Sequence, residues 1–239
     1  MKKHFATRLL FAVMICFLSQ ASFASAIWGT DASDGLNTIT GDRSTDGGGL
    51  VASNGSEWDT SGTSISWEIV PVLDQASQVV YWEYTYIINT SQSGKAVSNM
   101  ILEFTEDELG INIMDVNGPA EGPKTWTKSG NQEFPNSSDI YGIKFDYSQD
   151  DDQQTIYTFT TDRSPVYGVF FAKGGNNTDN TLYSSALLSS DYKTNMSLTD
   201  IDFIVRPNGM TVVPVPAAFW LFGSALMALI GLRRKQLAG

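Results

Sequence analysis

The chain has one cysteine, Cys16, and one histidine, His4, in 239 residues. Both lie ahead of the small-x-small triplet Ala24-Ser25-Ala26. Lys2, Lys3 and Arg8 make a positive start and Leu9 to Leu18 an apolar stretch. Residues 1–26 therefore read as a secretory signal peptide cut after Ala26. The bulky Ile15 before Cys16 argues against a lipoprotein signal, so Cys16 leaves with the leader. The mature chain then has neither thiol nor imidazole. That excludes disulfides, although an exporting compartment permits them. It also excludes Cys–His and Ser-His-Asp nucleophilic sites and removes the usual zinc and copper ligands. What remains is carboxylate, hydroxyl, lysine or tyrosine chemistry, and hard-cation binding by oxygen.

Basic residues are scarce too. The chain carries 15 Lys and Arg against 26 Asp and Glu. Three bases fall in the leader and three in Arg233-Arg234-Lys235, while neither terminus holds an acid. Residues 27–211 keep 9 bases and all 26 acids, a net charge near −17. A body so acidic repels nucleic acid and anionic lipid, so no nucleic-acid partner is expected. It suits a solvated exterior, divalent cations, or a neutral or cationic partner.

Helical periodicity is the third shortage: outside the termini no stretch of any length shows a 3.6-residue period. Two-residue alternation is plentiful instead. Ser64 to Val72 places Ile65, Trp67 and Ile69 on one face. Gln78 to Asn89 does the same with Val80, Trp82, Tyr84, Tyr86 and Ile88, with Glu83 and Thr85 opposite. Ala96 to Thr105 follows across a polar turn and reads as the second arm of a hairpin. Ile111 to Asp115, Ile140 to Tyr147, Thr155 to Thr161, Val166 to Ala172 and Asp202 to Arg206 complete the set. In Ile140 to Tyr147 the inward residues are Tyr141, Ile143, Phe145 and Tyr147. Residues 27–63 are rich in Gly, Ser and Asp and read as loops with one or two strands. Gly118 to Ser138, with three prolines, reads as a long loop. The expected fold is all-β: an antiparallel β-sandwich of about eight or more strands over 27–211. A signal helix precedes it and a transmembrane helix follows.

That second helix is Val212 to Leu232, which carries no charge. At 1.5 Å per residue it reaches roughly 30 Å, about one hydrocarbon core. Arg233, Arg234 and Lys235 hold its end at the cytoplasmic face. The run Val213-Pro214-Val215-Pro216-Ala217-Ala218-Phe219-Trp220-Leu221-Phe222-Gly223-Ser224, closed by the basic triplet, resembles the PEP-CTERM sorting signal. It is nearest to the variant reading Val-Pro-x-Pro-Ala-Ala-x-Trp-Leu-Phe-Gly-Ser. Val215 stands where the family's name-giving Glu lies. The resemblance covers the tail alone. It implies export through the Sec machinery of a Gram-negative bacterium and transient anchoring in the inner membrane. It further implies processing by an exosortase near Pro214 and Pro216, then delivery to the outer surface or extracellular matrix, where extracellular polysaccharide is an implied partner.

Chemistry-bearing motifs in the body are few. Ser190-Asp191-Tyr192-Lys193 fits the S-x-x-K spacing of acyl-enzyme nucleophiles, but neither S-D-N nor K-T-G accompanies it. Asp150-Asp151-Asp152, with Asp146 near, is a candidate Ca²⁺ site of hard oxygen ligands, and equally a solvated hairpin loop. Glu68, Glu83 and Glu103 lie on neighbouring expected strands. They read as outward-facing acids, with a glycosidase-like pair as the alternative. Trp126 and Tyr183 read as packing residues, with stacking on a sugar ring as the alternative. The function these features imply is a non-catalytic exported surface or matrix protein. A carbohydrate-binding surface module and a plain membrane-anchored protein are the alternatives.

Overall fold

A computed structural model describes residues 27–211 except 54, 55, 57, 60, 61, 77, 91–95, 107–111, 129–133, 136–138, 147–153 and 175–179. Ala24, Ala26, Asp150, Asp151, Asp152, Tyr147, Pro214, Pro216, Arg233, Arg234 and Lys235 therefore lie outside the described residues. Among the described residues no helix is long and apolar enough to cross a membrane.

The strands are β1 (Ile39–Ser44), β2 (Leu50–Ala52), β3 (Ser64–Leu73), β4 (Val79–Asn89), β5 (Val97–Glu103), β6 (Ile113–Met114) and β7 (Ala120–Trp126). They continue with β8 (Ile140–Asp146), β9 (Gln154–Thr161), β10 (Arg163–Gly168), β11 (Phe170–Gly174), β12 (Thr181–Ser184) and β13 (Ile204–Thr211). Every pairing between them is antiparallel. One sheet runs β1-β3-β4-β9-β6, a second runs β2-β12-β11-β5-β8-β7, and β10 with β13 makes a two-stranded ribbon.

The five-stranded sheet behaves as its alternation dictates. Ile65, Trp67 and Ile69 of β3 and Trp82, Tyr84, Tyr86 and Ile88 of β4 are buried, while Glu68 and Glu83 face water. Val80 departs from the expectation and is 41% exposed. The register slips there, Leu73 opposing Val79 and Val72 opposing Tyr81. Val80 is thus the extra residue of a bulge and leaves the buried face.

The two large sheets share one core. Tyr84 stacks on Phe159 across the β4–β9 pair at 5.2 Å, and Phe145 of the other sheet stacks on Phe159 at 5.1 Å. Such aromatic pairs add roughly 0.5–1.5 kcal/mol each beyond the area they bury. The six-stranded sheet is covered on its other face as well. There Ile101, Ile140, Phe171 and Tyr183 pack with Phe134, Val169, Leu187, Tyr192 and Phe203 from connecting segments.

That double cover explains the departures from expectation. Residues 78–89 and 96–105 do not form a hairpin. β4 pairs with β3 and β9, and β5 with β11 and β8, so the chain crosses between sheets after Asn89. β8 and β9 likewise lie in different sheets and do not pair as a hairpin. Val166 to Ala172 is not one strand: it breaks at Val169 into β10 and β11 of different sheets. The segment 118–138 contains β7, an edge strand with Pro123 inside a register shift between Glu121 and Lys124. An edge position is where a sheet tolerates a residue without an N–H.

Two tyrosines anchor the ribbon to the core. Tyr84 donates its hydroxyl to the Arg163 carbonyl at 2.8 Å and Tyr86 to the Val205 carbonyl at 2.9 Å. Burial holds both phenols well above the usual tyrosine range. A raised folded-state value means stability that is complete below the unfolded pKa of about 10 and is lost as pH rises beyond it. The expected outcome is a denaturation midpoint that is flat up to about pH 10 and falls above it. The fall should be shallower in the Tyr84→Phe, Tyr86→Phe double variant. An identical alkaline slope in both proteins, followed by circular dichroism, would remove these phenols from the account.

Candidate functional site

The most elaborate polar cluster forms around Glu103, the last residue of β5. Its side chain is fully buried, which corrects the expectation of an outward-facing acid. The indole Nε1 of Trp28 donates to its Oε2 at 2.9 Å and the backbone N–H of Val169 to the same oxygen at 3.1 Å. The Tyr192 hydroxyl donates to Oε1 at 2.8 Å. Two cations stand close: Arg206 Nε is 3.5 Å from Oε2 and Lys193 Nζ 3.6 Å from Oε1. The Glu103 backbone N–H also bonds the Val169 carbonyl at 3.1 Å, so Val169 is held from both sides where β10 breaks into β11.

Arg206 is as deeply buried as its partner. Its Nη1 donates to Thr105 Oγ1 at 3.0 Å and to the Pro207 carbonyl at 2.8 Å. Its guanidinium lies 5.5 Å from the centre of the Trp28 ring, and the Lys193 ammonium lies 5.0 Å from it. Gly168 makes room, since a Cβ there would fall 2.0 Å from Arg206 Nε. Burial, then the adjacent Glu103 charge, pushes the Tyr192 phenol far above its ordinary range, so it stays a donor. Lys193, whose side chain is 44% exposed, is the part of the cluster that meets water.

This arrangement joins the start of the described chain, β5, the β10–β11 break, the 185–203 cover and β13. A catalytic carboxylate must reach a substrate. Both oxygens of Glu103 are instead occupied by protein donors in a sealed site, so the cluster is a structural anchor. It also accounts for the S-x-x-K spacing, because Lys193 faces Glu103 and Trp28. One signal in the chain points to it. Arg206 follows Phe203-Ile204-Val205, and a base within an apolar strand requires a buried acid.

The other candidate acids are dispersed. Glu68 and Glu83 are exposed on the open face of the five-stranded sheet, where Glu68 opposes Thr85 and Glu83 opposes Val70, a diagonal relation. Glu103 belongs to the other sheet, so the Glu83/Glu103 pair does not form. Asp146 ends β8, its carboxylate 2.7 Å from the Lys144 ammonium and its N–H bonded to the Pro119 carbonyl. Among the described residues no three His, Cys, Asp or Glu side chains gather as a metal site.

Of the two aromatics singled out, Tyr183 is core, stacked on Phe171 at 6.4 Å. Trp126 is half-buried at the end of β7 and donates Nε1 to the Gly142 carbonyl at 3.0 Å. Lys124 Nζ lies 4.2 Å from its ring centre and Lys144 Nζ 5.9 Å. Lys124 also pairs with Glu121, which lowers the Glu121 carboxyl from its ordinary value through that hydrogen bond.

Removing one member of a buried pair strands the other charge. Glu103→Gln is expected to cost about 3–5 kcal/mol in urea denaturation. Glu103→Leu combined with Arg206→Met should recover most of that loss, and Lys193→Met should cost less than about 1 kcal/mol. A double variant no more stable than Glu103→Gln would contradict the anchor.

Comparison of the chain with protein-family models, with curated proteins and with solved structures finds no match.

Proposed function

We propose that this chain is an exported, non-catalytic protein of the cell surface or extracellular matrix. Its body is an antiparallel β-sandwich carried between a signal helix and a transmembrane helix. In this proposal the Sec machinery exports it and residues 212–239 hold it briefly in the inner membrane. An exosortase-type enzyme then acts near Pro214 and Pro216, and the released body settles among extracellular polysaccharide. The observation that carries the proposal is the pairing of two terminal signals around a body without His or Cys and with a net charge near −17. The closed Glu103 cluster is consistent with it, since the one buried acid among the described residues serves packing. A carbohydrate-binding surface module is the second reading, favoured by the position of Trp126 on an edge strand.

Fractionation of the native cells is expected to place the protein at the outer surface or in the matrix. Intact-mass analysis of the released material should show a chain that starts at Ile27 and lacks Arg233, Arg234 and Lys235. A full-length cytoplasmic protein would refute export, and a surface protein that keeps the basic triplet would favour a plain anchor.

Cation binding belongs to the same proposal. Asp146 with Asp150, Asp151 and Asp152 supplies oxygen ligands for Ca²⁺, in competition with the Lys144 ammonium already on Asp146. Melting of the purified protein should rise in millimolar Ca²⁺ beyond NaCl of matched ionic strength. Equal shifts in the two salts, or an unchanged Ca²⁺ shift after Ala replacement of all four Asp, would reduce the run to a solvated loop.

A further inference from the structure

We infer that Trp126, the lysines Lys124 and Lys144 over its ring, and the Glu121 and Asp146 carboxylates paired with them form a subsite for a neutral pyranose ring of a polysaccharide. The inference deepens the matrix proposal by naming a ligand class at one place on the body.

The ring is a prepared platform. Its indole N–H is committed to the Gly142 carbonyl, and its body packs beside the outer cluster of the six-stranded sheet. Its orientation is therefore set before any ligand arrives, which lowers the entropy lost on binding. The indole face carries the negative pole of the ring quadrupole and attracts the polarised C–H groups of a sugar face as it attracts a cation. The cation over it here is Lys124, on a side chain 47% exposed and tied to Glu121, itself 55% exposed. A surface pair of this kind is weak enough to swing aside.

The surroundings suit sugar hydroxyls. Glu121 and Asp146 accept hydrogen bonds, and Lys124 and Lys144 donate them. β7 is an outermost strand of its sheet, so a chain longer than one ring can pass along the edge. Charge decides which sugar. Two carboxylates and two ammonium groups cancel at the platform, and the body near −17 repels a polyanion. A neutral pyranose is favoured over a uronate.

The test is native affinity electrophoresis of the full-length protein in detergent. The gels contain dextran, laminarin, galactomannan or xylan as neutral probes, and alginate or polygalacturonate as anionic ones. The expected result is retardation by at least one neutral polymer and less by both anionic ones. Trp126→Leu, which removes the π face, should weaken that retardation about tenfold while the protein stays folded at the temperature of the gel, and Trp126→Tyr should retain it. Retardation by no neutral polymer, stronger retardation by a uronate polymer, or a Trp126→Leu protein retarded like wild type would overturn the inference. Should Trp126→Leu fail to fold, acetylation of the wild-type protein decides. The retarding polymer must shield Lys124 and Lys144, and equal labelling with and without it overturns the subsite. A matrix-located protein that binds none of the neutral polymers sinks the subsite alone. A binder confined to the cytoplasm sinks the export proposal alone.

Discussion

The Glu103–Arg206 pair is the constraint on which the rest of this molecule depends. Neither ion touches water, and an ion pair in that position is tolerated only if the surrounding groups replace its hydration. The replacements come from segments far apart in the chain. Trp28 arrives from the start of the described chain, Val169 from the strand break, Tyr192 from the outer cover, and Thr105 and the Pro207 carbonyl from beside the ions themselves. Loss of any one supporting segment exposes a charge to incomplete solvation. The six-stranded sheet, the ribbon and the loop layer are thereby made mutually dependent.

This also explains where the few bases go. Arg163 and Arg206 are among the largest fully buried side chains, and Arg43 is half-covered. Arg43 donates to the carbonyls of Asp200, Ile201 and Phe203 at 2.7–3.1 Å while lying over Trp67. Burial lowers its guanidinium pKa from the usual value. Guanidinium groups thus hold backbone carbonyls and one carboxylate inside the body, and the acids remain outside. A strongly negative exterior is a direct result of placing cations in the interior of a chain that has few.

How much of this was legible follows from which strands face water. β3 and β4 separate protein from solvent, so Ile65, Trp67 and Ile69 alternate visibly with polar residues, and the same holds from Trp82 to Ile88. β11 and β12 are buried along their whole length, and alternation vanishes there. Sheet membership was also hidden. A polar turn between two alternating runs looks the same whether the second run folds back on the first or crosses to the opposite sheet. Val80 breaks the alternation at a bulge, which has no marker in the residues themselves. The acid–base partnership of Glu103 was hidden by distance along the chain, although Arg206 in its apolar strand hinted at it. Trp126 stands out in the sequence as an aromatic, but its lysine neighbours come from β7 and β8 together and only pairing brings them to it.

The last described strand has a mechanical consequence. β13 pairs antiparallel with β10, with Thr211 opposite Arg163 and Ile204 opposite Gly168. Tension applied through the residues beyond Thr211 reaches the body at the Arg163 end of the ribbon and peels β13 one rung at a time. At Pro207 and Arg206 the peeling meets a guanidinium that cannot leave without stranding the buried Glu103 carboxylate unpaired. Force entering from that end is therefore arrested by an electrostatic catch a few residues inside the fold, and the core beyond it is shielded.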